Sequence, residues 1–263
     1  MFIELETVDS TNNYRRENID ELENYSLVFA HHQTKGKGRI TRSWYDDRNS
    51  LTASILIRDV KGDVRHLSLI SSYAIFKALN EMNLDVTIKW PNDIYLNGKK
   101  LCGILIETII SDKVDAIIGF GINTNTLSFP ESIIATSIKL EKNIDVDNVN
   151  LAKRVSELLV DAYEKVDFKE IIKVNREHSY LMGKKVRLNY YGDGIEGNVL
   201  DIDERGNIII DTGIERIEVF SGELTLIKEW KRPWKRYEFL VNFPFINENK
   251  GFTKKMMYDI IKL

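Results

Sequence analysis

The chain has 263 residues, of which 43% are hydrophobic and 29% charged, values typical of a globular protein that argue against disorder, fibres and repeats. Lys and Arg (37) against Asp and Glu (40) leave a net charge of -3, so no global field draws the protein to nucleic acid or membrane, and any basic site must be local. The one cysteine, Cys102, excludes an internal disulfide or a thiolate metal cluster and fits the cytoplasm, and no apolar run approaches the ~20 residues that cross a bilayer.

In chain order, FIELETV reads as a strand that gives way to a helix at Asp9-Ser10-Thr11-Asn12-Asn13. These residue types suit an N-cap, and their spare hydroxyls and amides equally suit a neutral polar ligand. A strand at 26–30 leads into His31-His32-Gln33-Thr34-Lys35-Gly36-Lys37-Gly38-Arg39-Ile40-Thr41-Arg42-Ser43-Trp44, which holds four Lys or Arg and no acidic residue. Its glycines let backbone approach a ligand, its cations neutralise anionic oxygens, and Trp44 offers a stacking face. The run lacks the GK[ST] ending of a Walker P-loop and is no Rossmann fingerprint. His31 and His32 point to opposite faces of an extended chain, so no metal ligand is assigned there.

A strand at 50–57 precedes a helix over 65–82 whose apolar face carries Leu67, Ile70, Ala74 and Ala78. A strand at 86–90 ends in Lys89-Trp90-Pro91-Asn92-Asp93, a turn with Trp90 expected in the core. Ile94–Leu96 and Leu101–Ile106 flank Asn97-Gly98, the signature of a tight hairpin, and the second arm runs on to Glu107. Asp93 and Lys100, at the two ends of this hairpin arm, are placed to converge on one cleft. The strand at 114–123 closes with Gly119-Phe120-Gly121-Ile122-Asn123, where glycines inside a strand signal a close approach or a bulge. A second helix near 150 repeats Leu151, Val155, Leu158, Leu159, Ala162, Tyr163 and Val166. Both helices read as scaffolding. Beyond Gly183 short strands alternate with turns, as in a small antiparallel barrel. Residues 228–263 then carry nine Lys or Arg against four Asp or Glu, with an amphipathic end at Phe252, Met256, Met257, Ile260 and Ile261.

Taken together, DSTNN, QTKGKGRITRSW, IKWPNDIYLNGKKLCGILIE and GFGIN, in this order and spacing, resemble the biotin protein ligases (biotin–[acetyl-CoA-carboxylase] ligases) over roughly residues 1–227. The resemblance implies an α+β fold: a central mixed β-sheet with flanking helices, like the class II aminoacyl-tRNA synthetases, plus a small C-terminal SH3-like β-barrel. The expected divisions are a catalytic domain at 1–180, the barrel at 183–227 and a basic extension of no assigned role at 228–263. It further implies ATP, biotin and Mg2+, formation of biotinyl-5'-AMP, and transfer to a lysine of a biotin carboxyl carrier protein or domain. No nucleic-acid or membrane partner is expected, while a homodimer is compatible with the family.

By the same resemblance, Ser10, Thr11, Asn12, Gln33, Lys37, Gly38, Arg39, Lys100 and Gly103 bind biotin. Arg39, Arg42, Trp44, Lys89, Asn92, Asp93 and Asn123 bind the nucleotide, and Lys100, Arg39 and Asp93 are the catalytic set. Fixed cations lower the repulsion a carboxylate meets in attacking a polyphosphate. The sequence departs from the family's usual GRGRxGRxW loop at Lys37, Ile40 and Thr41, and has Ile227 where an Arg reaching the nucleotide is expected. DSTNN begins eight residues after the first methionine, so a monofunctional ligase without the N-terminal DNA-binding domain of repressor-type members is expected. The loop departures also fit an inactive relative that only binds biotin or a carrier domain, and two further readings are weaker. A lipoate or octanoate ligase usually shows an RRxSGGG-type loop, and a single-stranded nucleic-acid binder is opposed by the acidic balance and leaves Trp90 and Asp93 unexplained.

Overall fold

The computed structural model describes residues 1–39, 42–190 and 193–227; Ile40, Thr41 and the 228–263 extension lie outside the described residues. The elements are β1 (Phe2–Leu5), α1 (Thr11–Glu17), β2 (Leu27–Ala30), β3 (Leu51–Ile57), α2 (His66–Glu81), β4 (Val86–Lys89), β5 (Asp93–Leu96), β6 (Lys99–Ile110) and β7 (Val114–Ile122). They continue with α3 (Ile138–Lys142), α4 (Asn148–Lys165), α5 (Phe168–Glu177), β8 (Lys185–Tyr190), β9 (Asp193–Ile202), β10 (Ile208–Asp211), β11 (Arg216–Val219) and β12 (Glu223–Leu226).

The first seven strands form one mixed sheet in the order β1-β2-β3-β7-β6-β5-β4, parallel only between β1 and β2. Every residue of β3 (LTASILI) is buried, as in a strand covered on both faces. Side chains alternate across the sheet. Ala53, Ile55, Cys102, Ile104, Ile106, Ile118 and Phe120 enter the main core with Leu67, Ala74 and Val155 of α2 and α4. Burying an Ile or Leu there contributes about 2 kcal/mol each. The opposite face carries α1 against β3 and β7, with a small cluster of Leu22, Leu56 and Ile117 beside it.

Asn97 and Gly98 have φ of 50° and 73°, the positive pair that a two-residue hairpin turn requires. The following arm is longer than the apolar run indicates, because β6 continues to Ile110 alongside β7. Helix α5 occupies a stretch with no expected element. Its Ile171, Ile172 and Val174 are buried, and Asp167 caps it by accepting from Lys169 N at 2.9 Å.

The five C-terminal strands are present, and they pair antiparallel in the order β11-β10-β9-β8-β12. The edges β11 and β12 do not pair with each other among the described residues, so the sheet is open where a closed barrel was expected. It is not an isolated unit. Val186, Leu188, Val199, Ile208 and Leu224 belong to the same apolar core as α2 and α5, and Trp90 Nε1 donates to Gly206 O at 3.0 Å. Trp90 is 3% exposed, the core placement expected of it.

Candidate functional site

The face of the main sheet that carries α1 is bare at its centre. Gly103 of β6 lies opposite Gly121 of β7, and Gly119 lies opposite Leu105. A Cβ on Gly121 would stand 2.4 Å from Trp44 Cε2, and one on Gly119 would stand 2.4 Å from Asn12 Oδ1. The close approach signalled by GFGIN is therefore made by two side chains of the protein itself, and the β6–β7 register runs through both glycines without a bulge. Above this floor opens a cavity between α1, the 33–44 loop, β4–β6 and the turn before β12.

One end of the cavity is neutral. Ser10 occupies the N-cap position of α1, yet its side chain makes no capping bond. Gln33 does that work from another segment, its Oε1 accepting from Thr11 N at 2.8 Å and Thr11 Oγ1 at 3.2 Å. Asp9 accepts from Ser10 N at 2.5 Å and Asn13 Nδ2 at 2.6 Å. The Ser10 hydroxyl is thereby left to line the cavity. Gln33 is itself fixed by a bridge to Val8 and by Asp46 Oδ2, 2.6 Å from its backbone N. Asn12 donates from Nδ2 to Glu107 Oε2 at 2.8 Å, and Arg16 pairs with Glu107 Oε1 at 2.7 Å. Burial works against the Glu107 charge, but the bonds from Arg16 and Asn12 together outweigh it and hold the carboxyl below its ordinary range. Behind α1, Arg15 is fully buried, bonding Ser54 Oγ and Ser26 Oγ at 2.9 Å each and clamping α1 to β2 and β3.

The other end is cationic. The loop folds back on itself through Trp44 N to Gly36 O (3.0 Å) and Gly38 N to Arg42 O (2.8 Å). From this loop Lys37 turns back to the α1 end, its Nζ donating to Asn13 Oδ1 at 2.5 Å. Arg39 donates to Asn92 Oδ1 at 3.1 Å and Gly222 O at 3.4 Å, while Asn92 Nδ2 is anchored on Ile104 O at 2.8 Å. Lys100 Nζ stands 2.7 Å from Asp93 Oδ1, Lys89 lies over the Tyr95 ring at 5.4 Å, and Arg42 pairs with Glu223. Burial pushes the Arg39 guanidinium and the Lys89 ammonium below their ordinary values, with Asp93 opposing the shift in both. Such an array is arranged to receive an anion, which would take the place of the carboxylates and carbonyls now balancing it.

Every expected site residue lines this one cavity except Asn123. Asn123 is buried, its Nδ2 donating to Thr136 O at 3.0 Å and its N to Leu101 O at 2.9 Å, so it ties the segment before α3 to β6. His31 and His32 diverge as expected, toward Glu4 (2.9 Å) and Asp46 (3.4 Å). Gly222, Glu223 and Leu224 enter the cavity from the small sheet and escaped the sequence reading. Their only signal in the sequence is the GELTLI run, whose expected nucleotide-facing position is Ile227. That residue is absent from the cavity lining, and its N bonds Lys185 O at 3.1 Å. Among the described residues no three His, Cys, Asp or Glu side chains gather to hold a metal ion.

Comparisons with known proteins point the same way. Residues 4–123 match the model of the "Biotin/lipoate A/B protein ligase family". The chain is 31% identical to a biotin protein ligase from Aquifex aeolicus solved in complex with biotin and ATP, with a TM-score of 0.76, covering 87% of this chain and 99% of that one. It is 29% identical over 214 residues to the bifunctional ligase/repressor BirA of Bacillus subtilis, covering 76% of this chain and 66% of the relative. To the biotin–[acetyl-CoA-carboxylase] ligase of Mycobacterium tuberculosis it is 26% identical over 219 residues, covering 77% and 79%. The chain thus spans just under two thirds of the Bacillus relative's length.

Proposed function

The chain belongs to the biotin protein ligases, and from that premise we propose that it activates biotin with ATP and passes the biotinyl group to a lysine of a biotin carboxyl carrier protein or domain. The observation that carries this reading is a single cavity with fixed neutral hydrogen-bonding groups at one end and Arg39, Lys89 and Lys100 at the other. The uncharged ureido ring of biotin suits the first, and its carboxylate with the triphosphate suits the second.

In the proposed first step a biotin carboxylate oxygen attacks the α-phosphorus of ATP, the bond to the β-phosphate oxygen breaks, and pyrophosphate leaves. Lys100 and Arg39 hold the approaching anions together, which supplies the charge stabilisation the step needs. Asp93, paired to Lys100 at 2.7 Å, sets the position of that ammonium. Lys89, Asn92 and Arg42 neutralise or anchor the phosphates. Trp44, seated on Gly103 and Gly121, provides the aromatic face for adenine. Mg2+ would arrive with the nucleotide as substrate, screening its phosphates. In the second step the lone pair of the acceptor lysine attacks the acyl carbon, the acyl–phosphate bond breaks, AMP leaves, and the amine gives up a proton.

The test is incubation with biotin, ATP, magnesium and a biotin carrier domain, read by streptavidin blot, with lipoate and ATP-free reactions as controls. Biotin appears on the carrier lysine only when ATP is present. Transfer of lipoate instead, or no transfer, would overturn the reading.

A further inference from the structure

Glu107 closes the GILIE run, is half-buried, and has no part in the reaction as described above. Its carboxylate grips two groups of α1, Asn12 Nδ2 at 2.8 Å and Arg16 at 2.7 Å. An ionised carboxylate only accepts hydrogen bonds, so the end of the Asn12 amide that faces it must be the NH2. The carbonyl end then has one direction left. Asn12 Oδ1 lies over Gly119, closer to that residue's missing Cβ (2.4 Å) than Nδ2 is (3.1 Å), and both residues line the cavity. No described residue donates to this oxygen, although Asn12 is only 3% exposed.

The geometry points to Glu107 as a positioning residue that, held by Arg16, fixes the Asn12 amide with its oxygen toward the ligand and so selects a substrate presenting an N–H donor at the neutral end. The inference rests on the proposed biotin reading and deepens it. A cyclic urea carries such donors, whereas the dithiolane ring of lipoate carries none. A free asparagine rotates its amide by half a turn at little cost and presents either end; a carboxylate neighbour removes that freedom. Gly119 is part of the device, since any side chain there would collide with the oriented oxygen.

The experiment is calorimetric titration of the intact protein with biotin, comparing wild type, Glu107→Leu, Asn12→Ala and the double variant, alongside KM for ATP and thermal melting of each. Glu107→Leu is expected to weaken biotin about tenfold, the loss of roughly one well-made hydrogen bond, while KM for ATP stays within about twofold. In the Asn12→Ala background the same change should cost nothing further, because the group through which Glu107 acts is gone. Glu107→Gln still accepts from Nδ2 but also lets the amide turn, so it should fall between wild type and Glu107→Leu. Equal weakening in both backgrounds, or parallel loss of biotin and ATP affinity, would assign Glu107 a merely structural role and overturn the inference. Wild-type affinity for biotin unchanged in Glu107→Leu would overturn it too, leaving the ligase reading intact. A wild type that binds no biotin would instead strike the ligase reading itself.

Discussion

At the α1 end of the cavity, polar groups are held by partners that a neutral ligand need not displace: Thr11 on Gln33, Asn12 on Glu107, Asn13 on Asp9. At the other end, Lys100, Arg42 and Arg39 are balanced by Asp93, Glu223, Asn92 and a backbone carbonyl, contacts an incoming anion must compete with. The first end is a preset mould and the second a set of provisional pairs. A neutral ring gains little from charge and much from fixed geometry, whereas carboxylate and phosphate gain from cations that can be re-partnered.

This contrast is open to attack at several points. The largest effect is expected from Lys100→Ala. Biotin-dependent pyrophosphate release should fall about a hundredfold or more, while stability drops by only about 1–3 kcal/mol, the cost of leaving the buried Asp93 Oδ1 without its cation. Adenylate formation at an undiminished rate would remove Lys100 from the anion site.

Next come the two floor glycines, each of which supports a different end. In Gly121→Ala the new Cβ meets the Trp44 ring, and KM for ATP should rise about tenfold or more with biotin affinity little altered. Gly119→Ala meets the Asn12 oxygen, and the reverse is expected. Steady-state kinetics with calorimetry separate the two, and matching changes in both variants would mean the ends are not independent. A smaller effect is expected from Glu223→Gln. Freeing Arg42 should lower KM for ATP by no more than about threefold, the scale of an exposed ion pair.

The smallest effect lies away from both ends and serves as a control. His66 stacks on Phe168 at a centroid distance of 3.8 Å, and burial lowers its pKa despite Asp63 beside it. Its folded pKa is below the unfolded one, so the unfolded chain takes up the proton more readily. This contribution to stability is present above the ordinary histidine range and is lost as pH falls through it. In melting curves between about pH 7.5 and 5.5, His66→Gln should show a shallower loss of stability than wild type, with ligand binding unaffected.

Much of the architecture follows from local pattern. Asn97-Gly98 dictates its turn through positive φ, and Leu67, Ile70 and Ala74 face the core as their spacing requires. The neutral and cationic segments were legible because their chemistry is concentrated in short runs, DSTNN and QTKGKGR. What escaped depends on contacts distant in sequence. Gln33 caps a helix 22 residues away, and Glu223 meets Arg42 across 181 residues; neither segment announces its partner. Asn123 shows the converse case. It sits in a suggestive motif, but the backbone carbonyl of Thr136 claims its amide. The C-terminal strands were individually evident, whereas closure depends on whether the β11 and β12 edges meet, and among the described residues they do not.

The most direct test of the account is pyrophosphate release from ATP by the purified protein as biotin is titrated, with lipoate as the parallel substrate. Both ends of one cavity acting together predict release that is absent without biotin, saturates with it, and stays near background with lipoate. Release that ignores biotin, or that lipoate supports equally, would contradict it.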